Sequence, residues 1–271
     1  MLSILNSISS LNAENALSST QTSLQNTLTQ LSTGLKINSG SDDAAGLSIA
    51  NGLGANIAAL TQSSQNASDG VGLLQTADGA LSQVTTLLNR AVTLATEAST
   101  GGLSTSQSTA LNTEYQSILS EIGNIGSTTN FNGAAIFNTT AAVFTSDGTS
   151  SGSATTSTTI GALTTTALSL GSTSLTSTSS AQTALTDVTA AMSTIAANRG
   201  AIGAVVNQLT ASTNVQNTEV TNLTSAQNMV QNADIGKTVA QMTQFNVLQQ
   251  TGMAALSQSN QAQQSVLKLL Q

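Results

Sequence analysis

The most regular pattern in the chain is a series of apolar positions, three or four residues apart, in its first half. The series begins at Ile57, and Ser64 and either Ala77 or Asp78 occupy its gaps. Its apolar members are Ile57, Leu60, Ala67, Val71, Leu74, Leu81, Val84, Leu88, Ala91 and Ala95. Alternating steps of three and four, kept over several heptads, are typical of a coiled-coil helix.

Two further stretches keep the same spacing. The shorter one, Leu111 to Ile125, follows a Gly101-Gly102 break, so we predict that it folds back as the second helix of an antiparallel hairpin. The longer one, Leu185 to Val230, predicts a single helix of about 50 residues. Polar residues stand at four positions of its apolar seam, namely Arg199, Thr213, Gln216 and Gln227.

Both ends of the chain also carry apolar residues at helical spacing, and we expect the two end helices to pair with each other. Their remaining positions are mostly Ser, Thr, Asn and Gln, so the ion pairs that support isolated helices are nearly absent. Such helices are marginal alone in water, and we predict that contacts with other copies order them. The predicted polymerisation residues are Leu24, Leu28, Leu31, Leu35, Met253, Leu256, Leu267 and Leu270.

Between the helical stretches lies a segment rich in Ser, Thr and Gly, residues 139–180. Two β-prone runs, Ala134 to Thr145 and Thr158 to Leu170, flank the turn dipeptide Asp147-Gly148. The predicted fold is therefore mostly α: a long α-helical coiled-coil bundle built from both chain ends, with a small β-hairpin insert.

Composition excludes several partners. The 271 residues are 39% hydrophobic but only 6% charged, against about 25% in average soluble domains, with a net charge of -7. This apolar content is too high for disorder, and no basic patch is available for nucleic acid or anionic lipid. No run of about 18 apolar residues predicts a membrane span. The first residues lack the basic region and apolar core of a cleaved signal peptide, so we expect none.

The chain contains neither cysteine nor histidine. Thiolate nucleophiles, imidazole bases and the commonest transition-metal ligands are thereby missing, so we predict neither an enzyme nor a cofactor or metal protein. The adjacent Asp42 and Asp43 are expected to cap the helix that begins with AAGLSIA. Arg199 is expected to be a hydrogen-bonding anchor in the helical seam.

Several strings closely resemble bacterial flagellin, in a short form with a minimal variable domain. They are LSTGLKINSGSDDAAGLSIA (31–50), QNASDGVGLLQTADGAL (65–81), TNFNGAAIF (129–137), NRGAIGAVVNQL (198–209) and GMAALSQSNQAQQSVLKLL (252–270). The resemblance covers roughly residues 1–138 and 181–271. It implies an extracellular structural subunit that polymerises into the flagellar filament used for swimming; a hook-filament junction protein is the alternative.

The resemblance also implies a division of the chain. Residues 1–40 and 235–271 would be the helices of an inner tube, and residues 41–138 and 181–234 would form a coiled-coil shell. The variable insert would be residues 139–180. A charge at Leu256 or Leu267 is expected to leave export intact and to prevent polymerisation.

Further partners follow only from the resemblance. The subunit would be exported unfolded through the flagellar type III apparatus with an export chaperone, and would assemble between hook-filament junction and cap proteins. Arg90, Leu94 and Glu114 match the motif that an animal innate immune receptor recognises. Val92 and Thr93 replace charged neighbours of that motif, so weakened recognition is expected.

Overall fold

A computed structural model describes residues 8–147 and 154–269, and the chain forms two compact units. The terminal unit comprises Met1–Ala55 and Asn222–Gln271, and the central unit comprises Asn56–Thr221. The described helices are α1 (Ile8–Thr33), α2 (Ala44–Ala98), α3 (Thr105–Thr128), α4 (Thr178–Gln231) and α5 (Ile235–Leu269). The described strands are β1 (Asn130–Phe131), β2 (Ala134–Ala135), β3 (Thr139–Phe144) and β4 (Thr155–Ile160).

The central unit has a continuous hydrophobic core, which runs from Ala67 on α2 to Leu209 on α4. The predicted seam residues of α2, α3 and α4 supply most of it, and every one of them is buried or half-buried. The prediction of a helical bundle built from both halves of the chain is therefore confirmed. Burial of this seam is the main source of stability in the central unit.

The turn between α2 and α3 lies where the glycine pair predicted it. Gly102 adopts a left-handed backbone with φ of 97°, which favours glycine. Ser104 then caps α3, because its hydroxyl accepts the Gln107 backbone N–H while the Gln107 side chain accepts the Ser104 N–H. Arg90 Nη2 on α2 lies 2.7 Å from Glu114 Oε1 on α3, as expected for an antiparallel hairpin.

The insert contains the predicted hairpin, and a second hairpin, which was not predicted, lies just before the insert. Strands β3 and β4 pair antiparallel from Thr139 with Ile160 to Phe144 with Thr155, and residues 148–153 of the predicted turn lie outside the described residues. The missed hairpin, β1 with β2, turns at Asn132 and Gly133, which both have positive φ. Asn-Gly at this place is a strong signal for such a turn.

The predicted β-run from Thr158 to Leu170 is wrong beyond Ile160, where β4 ends. Residues 161–170 form turns instead, because Leu163, Leu168 and Leu170 are all buried in the core. A regular strand would alternate such side chains between two faces. The apolar residues of this segment thus cover the helices and do not extend the hairpin.

Side chains of α3 hold the chain that leads into α4. The Tyr115 hydroxyl and Thr173 Oγ1 are 2.7 Å apart, and the Leu175 N–H donates to Asn112 Oδ1 at 2.8 Å. Burial raises the pKa of Tyr115, so its phenol stays protonated and available for this hydrogen bond. These contacts fix the insert on the helical bundle.

The two aspartates before α2 have different roles. Asp43 caps the helix as predicted, since its Oδ1 accepts the Gly46 N–H at 2.9 Å. The predicted cap at Asp42 is wrong: its Oδ2 accepts the backbone N–H groups of Asn38 and Ser39, both at 2.9 Å. Those hydrogen bonds lower the pKa of Asp42, which closes the preceding loop and not the helix.

Candidate assembly surface

Helices α1 and α5 pair antiparallel in the terminal unit, which confirms the expected contact between the two chain ends. Near one end of the pair the hydroxyls of Ser10 and Ser259 are 2.9 Å apart. Further along, Leu17 lies beside Gly252, where even a Cβ atom would be in van der Waals contact with it. Small residues at these points let the two backbones approach closely, with Cα atoms within 8 Å.

The opposite end of the helix pair is closed by backbone hydrogen bonds. The Ala233 N–H donates to the Gly34 carbonyl at 2.9 Å, and the Lys36 N–H donates to the Gln231 carbonyl at 2.8 Å. Gly34 has φ of 74°, a conformation that a side chain disfavours. Asp234 then caps α5 by accepting the Lys237 N–H. The turn after α1 and the start of α5 are thereby joined.

Helices α1 and α5 expose an unusual number of large apolar side chains, which we call the assembly surface. Its members are Ile8, Leu11, Leu28, Ile235, Val239, Val247, Leu248 and Met253, each between 40% and 74% exposed. Ile49 and Met229 are also exposed in the terminal unit. So many exposed large apolar side chains on one pair of helices exceed the scattered single ones that a soluble protein normally shows, and they point to a site of interaction.

The apolar residues surround α5 on the sides that α1 leaves open. Gly252 and Ser259 mark the face toward α1. At about 100° per residue, Val247 lies about 140° from Gly252 and Met253 about 100° away in the other direction, while Leu248 borders the face toward α1. Apolar side chains on several sides of a helix favour contacts on several sides. Helix α5 therefore presents surface for neighbours on more than one side.

The central unit contrasts with this arrangement. Among the large apolar side chains that the structure shows as exposed, only Phe144 and Val215 belong to it. Conversely, Ile37 and Ala50 are the only fully buried apolar residues described in the terminal unit. The central unit thus covers its own core, whereas the terminal unit leaves its apolar residues half-covered.

The predicted polymerisation residues occupy three kinds of position. Leu28 and Met253 are exposed, at 46% and 50%, and belong to the assembly surface. Leu24, Leu31, Leu35 and Leu256 are half-buried. The Leu267 side chain and the whole of Leu270 lie outside the described residues. The polymerisation role of all eight remains a prediction.

Most of the assembly surface does not follow the regular spacing of leucine and methionine from which the polymerisation residues were predicted. Its members on α5 include Ile235, Val239, Val247 and Leu248, which do not form one stripe. The available signal was the lack of a single apolar stripe, because these residues place apolar groups on several sides of α5. That pattern predicts a helix with neighbours on more than one side.

Polar groups on the assembly surface are largely satisfied within the helices. Threonine hydroxyls donate to the carbonyl four residues earlier at Thr20, Thr22, Thr27, Thr29 and Thr33 of α1 and at Thr238, Thr243 and Thr251 of α5. Charged residues are few: Glu14 on α1, and Lys237 and Lys268 on α5. Covering this surface therefore costs little desolvation of charges or of threonine hydroxyls.

The described residues offer no centre for metal chemistry, since no three acidic side chains gather at one place in residues 8–147 and 154–269. Within the same part of the chain, no helix combines the length and apolar character needed to cross a lipid bilayer.

Comparison with known proteins identifies the family. The model of the bacterial flagellin N-terminal helical region matches residues 4–142, and that of the C-terminal helical region matches residues 185–270. The chain belongs to the bacterial flagellin family. The unmatched residues between the two regions contain β4 and the turns that follow it.

Similar flagellins confirm this assignment. Flagellin of Halalkalibacterium halodurans is 32% identical over 248 residues, which are 91% of each chain. Serratia marcescens flagellin is 40% identical over 57% of this chain and 44% of its own length, and the phase 1 flagellin of Salmonella naestved is 41% identical over 50% and 27%. The crystal structure of Bacillus cereus flagellin matches 56% of this chain and 88% of its own with a TM-score of 0.50 at 30% identity.

Family membership decides the class of function. The chain is a structural subunit of the flagellar filament and not an enzyme. The comparisons do not favour the alternative of a hook-filament junction protein. The prediction of a flagellin fold with a small hairpin insert is likewise confirmed.

Arg90, Leu94 and Glu114, for which the sequence resemblance implies receptor contact, lie in the central unit and differ in accessibility. Arg90 and Glu114 are exposed and form an ion pair with N and O atoms 2.7 Å apart. Their hydrogen bond raises the pKa of Arg90 and lowers the pKa of Glu114, so both stay charged. Leu94 is completely buried in the core, so its side chain offers no surface to a receptor in this structure.

Proposed function

We propose that this subunit polymerises by packing the assembly surfaces of α1 and α5 against those of neighbouring copies. In this arrangement residues 1–40 and 235–271 form the inner tube of the filament. Residues 41–138 and 181–234 form the shell around it, with the insert of residues 139–180 outermost. The observation that carries the proposal is the contrast between a covered central core and an uncovered terminal unit.

The position of the apolar residues on α5 supports a polymer over a closed dimer. A two-fold dimer would cover one face, whereas a helical filament needs two different contacts on each subunit. Val247 and Met253 lie on different sides of α5, and both are at least half-exposed, at 54% and 50%. Covering the exposed half of one such side chain contributes about 0.8–1.6 kcal/mol, so repeated contacts stabilise the filament strongly.

The substitution Val247→Glu tests the proposal, because Val247 points away from α1 and the fold of the monomer should survive. Val247 is 54% exposed, so the lost apolar burial is about 0.8–1.6 kcal/mol and should raise the critical concentration for polymerisation about four- to fifteenfold. Burial of an unpartnered charge adds to this effect. The measurement is elongation of sheared filament seeds by purified monomer, followed by sedimentation.

Gln208→Glu is the matched control, since it adds the same charge at an exposed position of α4 in the central unit. Circular dichroism should show equal helix content for both variants. Filament growth by Val247→Glu at the rate and critical concentration of Gln208→Glu would refute the role of the assembly surface.

We further propose that the subunit reaches the filament through the flagellar type III apparatus, with an export chaperone and without a cleaved signal peptide. It would then assemble beneath the cap protein and onto the hook-filament junction. The lack of cysteine supports this route, because no disulfide could form before threading. Intact mass of the subunit from sheared filaments tests the route: a subunit shortened at its N-terminus by a leader-sized segment would contradict it.

For the innate receptor we propose weak recognition centred on Arg90 and Glu114. The two side chains are exposed but already paired with each other, and Leu94 can act only by supporting α2 from within the core. A cell reporter for the receptor should respond weakly to the monomer. Replacing Val92 and Thr93 by charged residues should strengthen the response, and a full response from the unaltered chain would contradict the proposal.

A further inference from the structure

The apolar seam between α2 and α4 does not by itself define one alignment of the two helices. Apolar residues recur with a heptad spacing on both helices, so a slide by seven residues would again place apolar against apolar. A unique alignment needs positions that break the repeat. Polar residues at seam positions can select one alignment, although they lower the stability of the helix pair.

One polar contact in the seam is fully buried. Gln216 on α4 and Ser63 on α2 are 3% and 1% exposed, and Gln216 Nε2 donates to Ser63 Oγ at 2.9 Å. Ser63 Oγ in turn donates to the Phe144 carbonyl at 3.4 Å, which extends the contact to β3. The remaining amide oxygen, Gln216 Oε1, is buried with no hydrogen-bond partner. An unsatisfied buried oxygen lowers stability.

A second polar contact lies in the same seam. Arg199 on α4 binds Asp78 on α2 through two hydrogen bonds, Nε to Oδ1 at 2.7 Å and Nη2 to Oδ2 at 3.2 Å. The expected role of Arg199 as an anchor is thus confirmed within the chain. Between this contact and that of Gln216 with Ser63, the residue number falls from 78 to 63 on α2 and rises from 199 to 216 on α4. Both contacts therefore belong to one antiparallel alignment.

We propose that these two contacts, Gln216 with Ser63 and Arg199 with Asp78, form a register lock that selects one alignment of α2 and α4. A slide by one heptad in one direction would move Gln216 to Gly70 and Arg199 to Thr85. A slide in the other direction would move Gln216 to Asn56 and Arg199 to Val71. Gly70 has no side chain to hydrogen-bond, and its place against Val143 and Leu209 is already filled. The slide would break both contacts and displace β3.

Disulfide trapping tests the lock directly, because the chain has no cysteine of its own. In the native alignment the side-chain oxygens of Ser64 and Asn217 are 3.4 Å apart. Cysteines at 64 and 217 therefore report this alignment, while cysteines at 71 and 217 report the one-heptad slide that brings Gln216 to Gly70. Both pairs are placed in the full-length chain, in dilute monomer, with and without Ser63→Ala and Gln216→Leu.

The apolar double replacement should raise the rate of disulfide formation between positions 71 and 217 at least tenfold. Because the unsatisfied oxygen is removed, the melting temperature should rise by about 2–8 °C. An unchanged rate for this pair would overturn the proposal, since the seam would then be aligned without the lock.

The ion pair provides an independent test at a half-exposed position, where folding is not at risk. Arg199→Glu places two carboxylates together and should likewise raise the rate for positions 71 and 217 at least tenfold. Adding Asp78→Arg restores an ion pair with exchanged charges and should return the rate to that of the unaltered chain. If the double variant traps the slide as fast as Arg199→Glu, attraction across the seam does not select the alignment and the proposal fails.

Discussion

Two glycines of α3 show how the surroundings of a residue decide its contribution. A Cβ atom on Gly126 would overlap the backbone carbonyl of Leu163, which crosses the helix at this point. Gly123, one turn earlier, has nothing within 4 Å of the same position. Gly126 therefore allows the segment after β4 to lie against α3, whereas Gly123 only weakens the helix.

We predict opposite effects for alanine at these two positions. Gly126→Ala should destabilise the central unit by about 1–3 kcal/mol, because a backbone carbonyl cannot move aside as a side chain can. Gly123→Ala should stabilise it by about 0.5–1 kcal/mol through helix propensity. Chemical denaturation followed by circular dichroism measures both. Equal effects of the two substitutions would show that Leu163 does not pack as described.

The ion pair of Arg90 and Glu114 predicts a pH dependence. Its hydrogen bond lowers the pKa of Glu114 below the ordinary 4.5, so its stabilising contribution is present above that value and is lost as the pH falls through the folded-state pKa. Glu114→Gln should lower the melting temperature slightly at pH 7. The difference should vanish at strongly acidic pH, where both chains carry a neutral side chain at 114.

The control for this measurement is Glu121→Gln, which removes a carboxylate from the same helix without touching Arg90. Both side chains of the ion pair are about half-exposed, so solvent screening keeps the effect small. A difference that grows toward acidic pH would mean that Glu114 is not stabilised in its charged form.

At the scale of elements, the sequence predicts the helices well because their seams repeat many times. The residues from Leu60 to Ala95 that were placed in the seam of α2 are all buried or half-buried. The insert is predicted less well, since Leu163, Leu168 and Leu170 fit a β-prone pattern but are drawn into a core formed by distant residues. In this segment, tertiary packing overrides the local propensity for β-strand.

The start of α3 is an element boundary set by local chemistry alone. Ser104→Ala removes the hydroxyl that accepts the Gln107 N–H and should cost about 1 kcal/mol of stability. Ser106→Ala, inside the first turn, should have no cost because alanine favours helix. Thermal melting of both variants measures this. A loss of equal size at both positions would deny that the capping box fixes the start of α3.

At the scale of the whole molecule, the two units differ in how they are stabilised. The central unit has its own hydrophobic core, whereas the terminal unit consists of α1, α5 and short parts of α2 and α4 with few buried apolar residues. The sequence indicated this difference through the lack of ion pairs at the chain ends. It could not identify which side chains stay exposed, because exposure of Val247 or Leu248 depends on the side of α5 that α1 covers.

This difference predicts the order of proteolysis. In the free monomer, helices with little buried apolar surface open most often, so a protease should first remove residues of the terminal unit and leave a fragment near residues 56–221. In assembled filaments the same sites should be protected, because neighbouring copies cover the assembly surface. Val247→Glu monomer, mixed with seeds, should remain as sensitive to the protease as free monomer. Because it does not assemble, neighbouring copies do not cover its assembly surface. Equal resistance of both units in the free monomer would mean that the terminal helices are already stable alone, and assembly would then need another driving force.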